Sequence, residues 1–240
     1  NKGTEDNRVR KLDYSIQISK LFYERFIRNE SISLFSPHDV PGLYDSFGTR
    51  DFDDLYREYE RQEDIPRSTV AAQELILDIL KERAETGRIY IMNIDHCNSH
   101  SSFKYSVYMS NLCQEITLPT DPIQHIDEDA GEIALCILSA VNVGKLNNFD
   151  QLEELCDLSV RALEELIDYQ KYPVAAAERS TKARRSLGIG YIGLAHYLAR
   201  QGVDYNSQEA WDLVHQLTEA FQYNLLKASN NLAKEKGACS

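Results

Sequence analysis

The apolar residues of this chain change their spacing partway along, and that change sets the fold class. Leu12, Ile16, Leu21, Phe22 and Phe26 recur at helical intervals, predicting an amphipathic helix over Leu12–Ile27. Pro37, Pro41 and Gly42 in "SISLFSPHDVPGLYDSF" mark a turn-rich connection around a short extended piece. Two further helices are expected at about 51–62 and 68–85, the second with Ser68 and Thr69 as candidate caps and Gly87 as its stop. After Gly87 the period shortens. "RIYIMNI" is a short β-branched run that reads as a strand, and "SNLCQEITLP" is a second extended candidate. "EIALCILSAVNVG" is nearly continuously apolar, as expected of a strand covered on both faces. Helix then returns over 150–170, in "GYIGLAHYLARQG" up to Gly202, and over 207–236. Helices interleaved with buried strands make an α/β protein. No composition break divides it, no repeat or low-complexity segment is present, and residues 1–10 read as a linker or loop.

The 240 residues suffice for one large domain or two small ones with a substantial core. Lys and Arg number 26 against 38 Asp and Glu, a net charge of −12. Phosphate contact needs basic surface, so this balance argues against non-specific nucleic-acid binding. No apolar run approaches the ~20 residues needed to cross a bilayer, and no signal-peptide pattern opens the chain. Five scattered cysteines without a CxxC do not make a secreted disulfide framework, which points to a reducing, cytoplasmic setting. The start at Asn1 and the stop at "KEKGACS" directly after a helical pattern suggest a piece of a longer protein.

Several clusters have the residue types of functional sites. "DHCNSH" brings His96, Cys97 and His100 together, but the second ligand pair of a structural zinc site is absent, so no metal is assigned; the plainer reading is a polar loop with Cys97 packed inward. "LGIGYIG" (187–193) lacks the glycine order of a dinucleotide loop and reads better as the start of a helix whose glycines permit close packing. Cys156 falls on the apolar face of the 150–170 helix and is expected in the core, while Cys239 supports no inference. In "SNLCQE", Asn111, Cys113 and Glu115 occupy alternate positions, so an extended backbone would point an amide, a thiol and a carboxylate the same way. Polar groups repeated so in an apolar stretch would be costly if buried without use, and Glu115 can serve as a general base beside Cys113. Cys136 is expected mid-strand, facing the same cavity. No histidine holds a natural partner position for a Cys–His hydrolase.

"SNLCQEITLPT", "DEDAGEIALCILSAVN" and "RRSLGIGYIGLAHYLA" closely resemble the catalytic large (alpha) subunit of class I, aerobic ribonucleotide reductase, of the bacterial and phage type; "GRIYIMNIDHCNSHSSF" and "LFSPHDVPGLYDSF" resemble further segments of it. The resemblance spans essentially the whole chain, as a central segment of that subunit. It implies a ten-stranded α/β barrel of two half-barrels, with "SNLCQE" as a central finger loop carrying Cys113 at its tip. The activity implied is reduction of ribonucleoside diphosphates to 2′-deoxyribonucleoside diphosphates by thiyl-radical chemistry. Cys113 is then the thiyl, Glu115 the acceptor of the 3′-OH proton, and Asn111 a hydrogen-bonding partner of the ribose hydroxyls. Cys136 is one cysteine of the reducing pair, oxidised to a disulfide and restored by thioredoxin or glutaredoxin.

By the same resemblance the segment binds no cofactor itself. The radical comes from a metal cofactor in a small beta subunit, and ATP or dNTP effectors bind regions outside these residues. The N-terminal nucleotide-binding domain, the early strands with the partner of Cys136, the radical-delivering tyrosines and the C-terminal cysteine tail also lie outside. The segment is therefore expected to be inactive alone, the complete subunit forming a homodimer. Alternatives are a glycyl-radical or cobalamin-dependent reductase of the same superfamily, disfavoured by the carboxylate in "SNLCQE", and a non-catalytic module with "DHCNSH" as a metal site.

Overall fold

The computed structural model describes residues 11–240; the linker expected over 1–10 lies outside the described residues. Where the sequence shows no composition break, the fold resolves two compact units, Asn1–Thr120 and Asp121–Ser240.

In the first unit the elements are β1 (Tyr14–Ile18), α1 (Lys20–Ile27), β2 (Ser31–Phe35), α2 (Leu43–Ser46), α3 (Phe52–Arg61), β3 (Arg67–Ala71), α4 (Ala72–Thr86), β4 (Ile89–Asn93) and α5 (Ile94–Ser99). The single helix expected over Leu12–Ile27 is a strand followed by a helix. Tyr14, Ile16 and Ile18 alternate with Ser15 and Gln17, a two-residue period that suits β-structure. Ser19 then takes an extended conformation and caps α1 through its hydroxyl, which accepts from the Phe22 amide. Ser68 and Thr69 are not caps: they lie in β3, opposite Leu34 and Ser33 of antiparallel β2. Gly87 does end α4, at φ +68° with its amide on the Arg83 carbonyl at 2.7 Å, a left-handed position that glycine takes without penalty.

β1 and β4 pair in parallel, Tyr14 against Ile89 through Ile18 against Asn93. Ile18, Phe22, Ile32, Ala72, Ile76, Ile79 and Ile89 form the core between these strands and helices α1 and α4. Each fully buried large apolar side chain contributes about 1.5–3 kcal/mol. A second cluster, with Leu21, Val40, Leu43, Phe52 and Tyr56, packs α3 beneath β2. There the Tyr56 hydroxyl donates to the Ser33 carbonyl (2.6 Å) and accepts from the Ser33 amide (2.8 Å), so a side chain completes the hydrogen bonding of a β2 residue.

The second unit holds β5 (Leu138–Asn142), α6 (Gln151–Tyr169), α7 (Ala175–Arg184), β6 (Gly188–Ile192), α8 (Leu194–Arg200) and α9 (Gln208–Lys236). β5 and β6 pair in parallel. The strand expected across "EIALCILSAVNVG" is confined to its second half, and only Val141 within it is buried. "GIGYI" is a strand rather than the start of a helix. Gly193 (φ +81°) carries the chain from it into α8, and a Cβ there would lie 2.5 Å from Asn142 Oδ1, so that glycine serves a close backbone approach. Helix α6 packs along α9 through Leu152, Cys156, Val160, Leu217, Phe221, Ala228 and Leu232. Cys156 is fully buried, as its helical position indicates. Arg185 closes α7 in a left-handed conformation (φ +46°), its guanidinium on Glu164 (2.6 Å) and Asp168 (2.8 Å) of α6.

Among the described residues the strands thus form three two-stranded sheets and no closed barrel. No described helix is long and apolar enough to cross a membrane.

Candidate functional site: the Cys113 turn

The extended backbone expected for "SNLCQE" is not formed. The Gln114 amide donates to the Asn111 carbonyl at 3.1 Å, closing a tight turn over Asn111–Gln114, and Gln114 sits at φ +67°. Two-residue alternation therefore does not set the directions of Asn111, Cys113 and Glu115. The apolar residues of "NLCQEITLP" suggest a strand by composition, but no other strand pairs with it, and local hydrogen bonds satisfy the backbone instead.

The asparagine builds the turn. Its Oδ1 accepts from the Ile116 amide (3.0 Å), and the Ser110 hydroxyl lies 3.0 Å from the same oxygen and 2.6 Å from the Ile116 carbonyl. The Asn111 carbonyl oxygens, main-chain and side-chain, are thereby engaged within the loop, while its Nδ2 donors make no hydrogen bond to a described residue. Cys113, at the third position of the turn, is exposed, as is Glu115. The turn thus offers a thiol, a carboxylate and an amide donor to an incoming molecule.

Residues that sequence reasoning did not single out hold this turn in place. The segment leading to it is tied by Asn98, whose Oδ1 accepts from the Val107 amide (2.7 Å) and whose Nδ2 donates to the Val107 carbonyl (3.1 Å). Gln17 Nε2 of β1 donates to the Tyr108 carbonyl at 2.8 Å. Gln114 Nε2 donates to Ser15 Oγ of β1 at 2.8 Å and to the Asn111 carbonyl at 3.0 Å. Ser15 pairs in register with Tyr90 of β4. The Tyr90 phenol is raised above its ordinary pKa, chiefly by the neighbouring Cys113 thiol. No sequence signal marks Ser15 or Tyr90, because a parallel pairing between distant strands leaves no local pattern.

Cys136 is not mid-strand and not buried. It lies in the irregular segment before β5 and is exposed, because the pairing with β6 begins only at Leu138. All five cysteines are free thiols. The residues of "DHCNSH" lie on and just after α5. Cys97 packs against the Met92, Ile94 and Val107 cluster, where burial pushes its thiol up, and the rings of His96 and His100 meet edge to face at 6.1 Å. Among the described residues no group of three or more His, Cys, Asp or Glu is placed to hold a metal ion.

Comparison with known proteins agrees along the whole chain. The family model described as "Ribonucleotide reductase, barrel domain" matches residues 1–240. The chain is 58% identical to the ribonucleoside-diphosphate reductase subunit alpha of Haemophilus influenzae and 54% identical to the reductase 1 subunit alpha of Escherichia coli, in both cases over 100% of its own length. Identity to the subunit alpha of Enterobacteria phage T4 is 43% over 99% of the chain. It spans about a third of each of these relatives, 32% of their length. The chain belongs to the ribonucleotide reductase barrel-domain family.

Proposed function

We propose that this chain is the central part of the catalytic ten-stranded α/β barrel of a class I ribonucleoside-diphosphate reductase large subunit, with the Cys113 turn as the tip of its finger loop. The observation that carries the reading is an exposed thiol on a tight turn, flanked by Asn111 and Glu115, in a chain 58% identical throughout to a reductase alpha subunit. Remaining parts of the subunit, a small beta subunit, thioredoxin or glutaredoxin, and a second copy of the complete subunit are its partners, in a cytoplasmic setting.

The family resemblance gives the groups at the turn the following roles. A metal cofactor in the small subunit would supply the radical that starts the chemistry at Cys113. The Cys113 thiyl takes the 3′-hydrogen of the ribose, forming S–H and leaving a carbon radical at C3′. Glu115 accepts the 3′-OH proton, and a thiol proton from the pair that includes Cys136 lets the 2′-OH leave as water. The Asn111 amide donors hold the ribose hydroxyls against the sulfur, a positioning that governs rate steeply. Cys136 and its partner thiol, outside this chain, supply two electrons and two protons and end as a disulfide, one proton leaving in the water and the other hydrogen filling C2′; Glu115 returns its proton to the 3′-oxygen, and return of the 3′-hydrogen from Cys113 regenerates the thiyl.

The test is made on the complete subunit carrying this segment, assayed with its small subunit, a dithiol reductant and CDP. Cys113→Ser abolishes dCDP formation while effector nucleotide binding persists; substantial residual reduction would reject the thiyl assignment. Cys136→Ser blocks multiple turnover, and sustained cycling in that variant removes Cys136 from the reducing pair.

A further inference from the structure

We propose that Gln114 and Tyr90 are positioning residues that hold the Cys113 turn on the β1–β4 ribbon, Gln114 by its bond to Ser15 and Tyr90 from its place opposite Ser15. This rests on the reading of Cys113 as the reacting thiol and adds what fixes that thiol's place.

Three observations converge on it. First, Ser15 and Gln17 are alternate residues of β1 and so share a face; both bond the 108–114 segment, at Gln114 and at the Tyr108 carbonyl. The turn is tied to the strand at two points rather than hanging free. Second, the amide of Gln114 has one possible orientation. The Asn111 carbonyl can only accept, so the group facing it must be Nε2, and both Nε2 protons are then committed, to Asn111 and to Ser15. Gln114 Oε1 is left buried with no partner, a cost the surrounding bonds must exceed. Third, Tyr90 stands opposite Ser15 across the parallel pair, so its side chain leaves the same face of the ribbon as the residue that anchors the turn. The raised phenol pKa, with the Cys113 thiol as its first cause, agrees with that placement.

The clamp explains a local exception. Gln114 is one of only three non-glycine residues at positive φ among those described, and glycine would serve the backbone better there. A side chain is retained because it does the tying.

The experiment uses the complete subunit with its small subunit, varying Gln114 to Met (same length, no hydrogen bonds), Gln114 to Gly (backbone eased, tie removed) and Tyr90 to Phe. Each variant is read two ways: steady-state kcat and KM for CDP, and the rate at which Cys113 is alkylated by iodoacetamide in the absence of substrate, followed by peptide mass spectrometry. The expected result is a fall in kcat of about 10-fold or more with KM little changed, together with a several-fold faster alkylation of Cys113 and unchanged alkylation of Cys136. Gln114→Gly behaving like Gln114→Met identifies the tie, not the turn backbone, as the cause. Unchanged alkylation and kcat in all three variants would overturn the clamp. Failure of the underlying reading looks different, since Cys113→Ser would then retain reduction whatever these variants do.

Discussion

Replacing Tyr56 by Phe isolates one hydroxyl in the first unit. Tyr56 is 6% exposed, and its ring is held by Phe35 and Phe52 and by the Arg25 guanidinium 5.2 Å from its centroid, contacts that a phenyl ring keeps. The variant therefore loses only the two bonds to Ser33, leaving a buried amide and a buried carbonyl of β2 without a partner. Each such group costs about 1–3 kcal/mol, so local stability should fall by about 2–6 kcal/mol. By 1.4 kcal/mol per factor of ten, even the lower figure corresponds to about a 30-fold loss of amide protection at Ser33. Hydrogen exchange of the peptide spanning β2, in the complete subunit, measures this directly. The same hydroxyl predicts an alkaline effect. Burial, the largest influence, pushes the Tyr56 phenol up to about 12 from an ordinary value of 10. The folded state thus favours the neutral form, a stabilisation present below about pH 10 and lost as the pH rises toward 12. Tyr56→Phe should lack that component of alkaline loss. A change of less than about threefold in Ser33 exchange would refute the reasoning, because β2 would then be held without the phenol.

Two further outcomes follow from the second unit. Glu164 is 8% exposed and pairs with Arg185, so Arg185→Ala should strand a buried carboxylate and cost about 3–5 kcal/mol, while the double change Arg185→Met with Glu164→Met should recover most of it; chemical denaturation compares the three. Burial pushes the Cys156 thiol up to about 11, so at pH 8 Cys113, Cys136 and Cys239, all exposed, should alkylate in the native protein while Cys156 stays unmodified until it unfolds; early labelling of Cys156 would contradict its packing between α6 and α9.

Long, strongly periodic helices were legible in the sequence: the helix read over 150–170 is α6, and that over 207–236 is α9. "RIYIMNI" supplied β4, where β-branched residues and a preceding glycine leave little ambiguity. What failed were stretches where two periods overlap. Leu12, Ile16 and Leu21 fit a helix, yet Tyr14, Ile16 and Ile18 fit a strand, and pairing with the distant β4 decided between them. "LGIGYIG" misled because its glycines belong partly to a strand and partly to a close approach at Gly193. Helix α7 escaped notice because its buried face is built from Ala176, Ala177, Ser180 and Thr181, which give almost no apolar signal. At the site, the residue types were readable from "SNLCQE" but the turn was not, since a non-glycine residue at positive φ has no sequence marker. Its anchors on β1 and β4 depend on a pairing that no local window contains.

Among the described residues every strand pair is non-local: β1 meets β4 only after four helices and an antiparallel pair intervene, and β5 meets β6 only after two α-helices. Loop-closure entropy rises by only about 0.6 kcal/mol per doubling of length, so the finished fold is little affected, but contacts of this kind form slowly. The turn bearing Cys113 leans on the β1–β4 ribbon and cannot be set before it. A newly made chain would then acquire the surroundings of the Cys113 thiol only after that ribbon closes, and a slowed closure would yield molecules with native-like helices and a misplaced thiol.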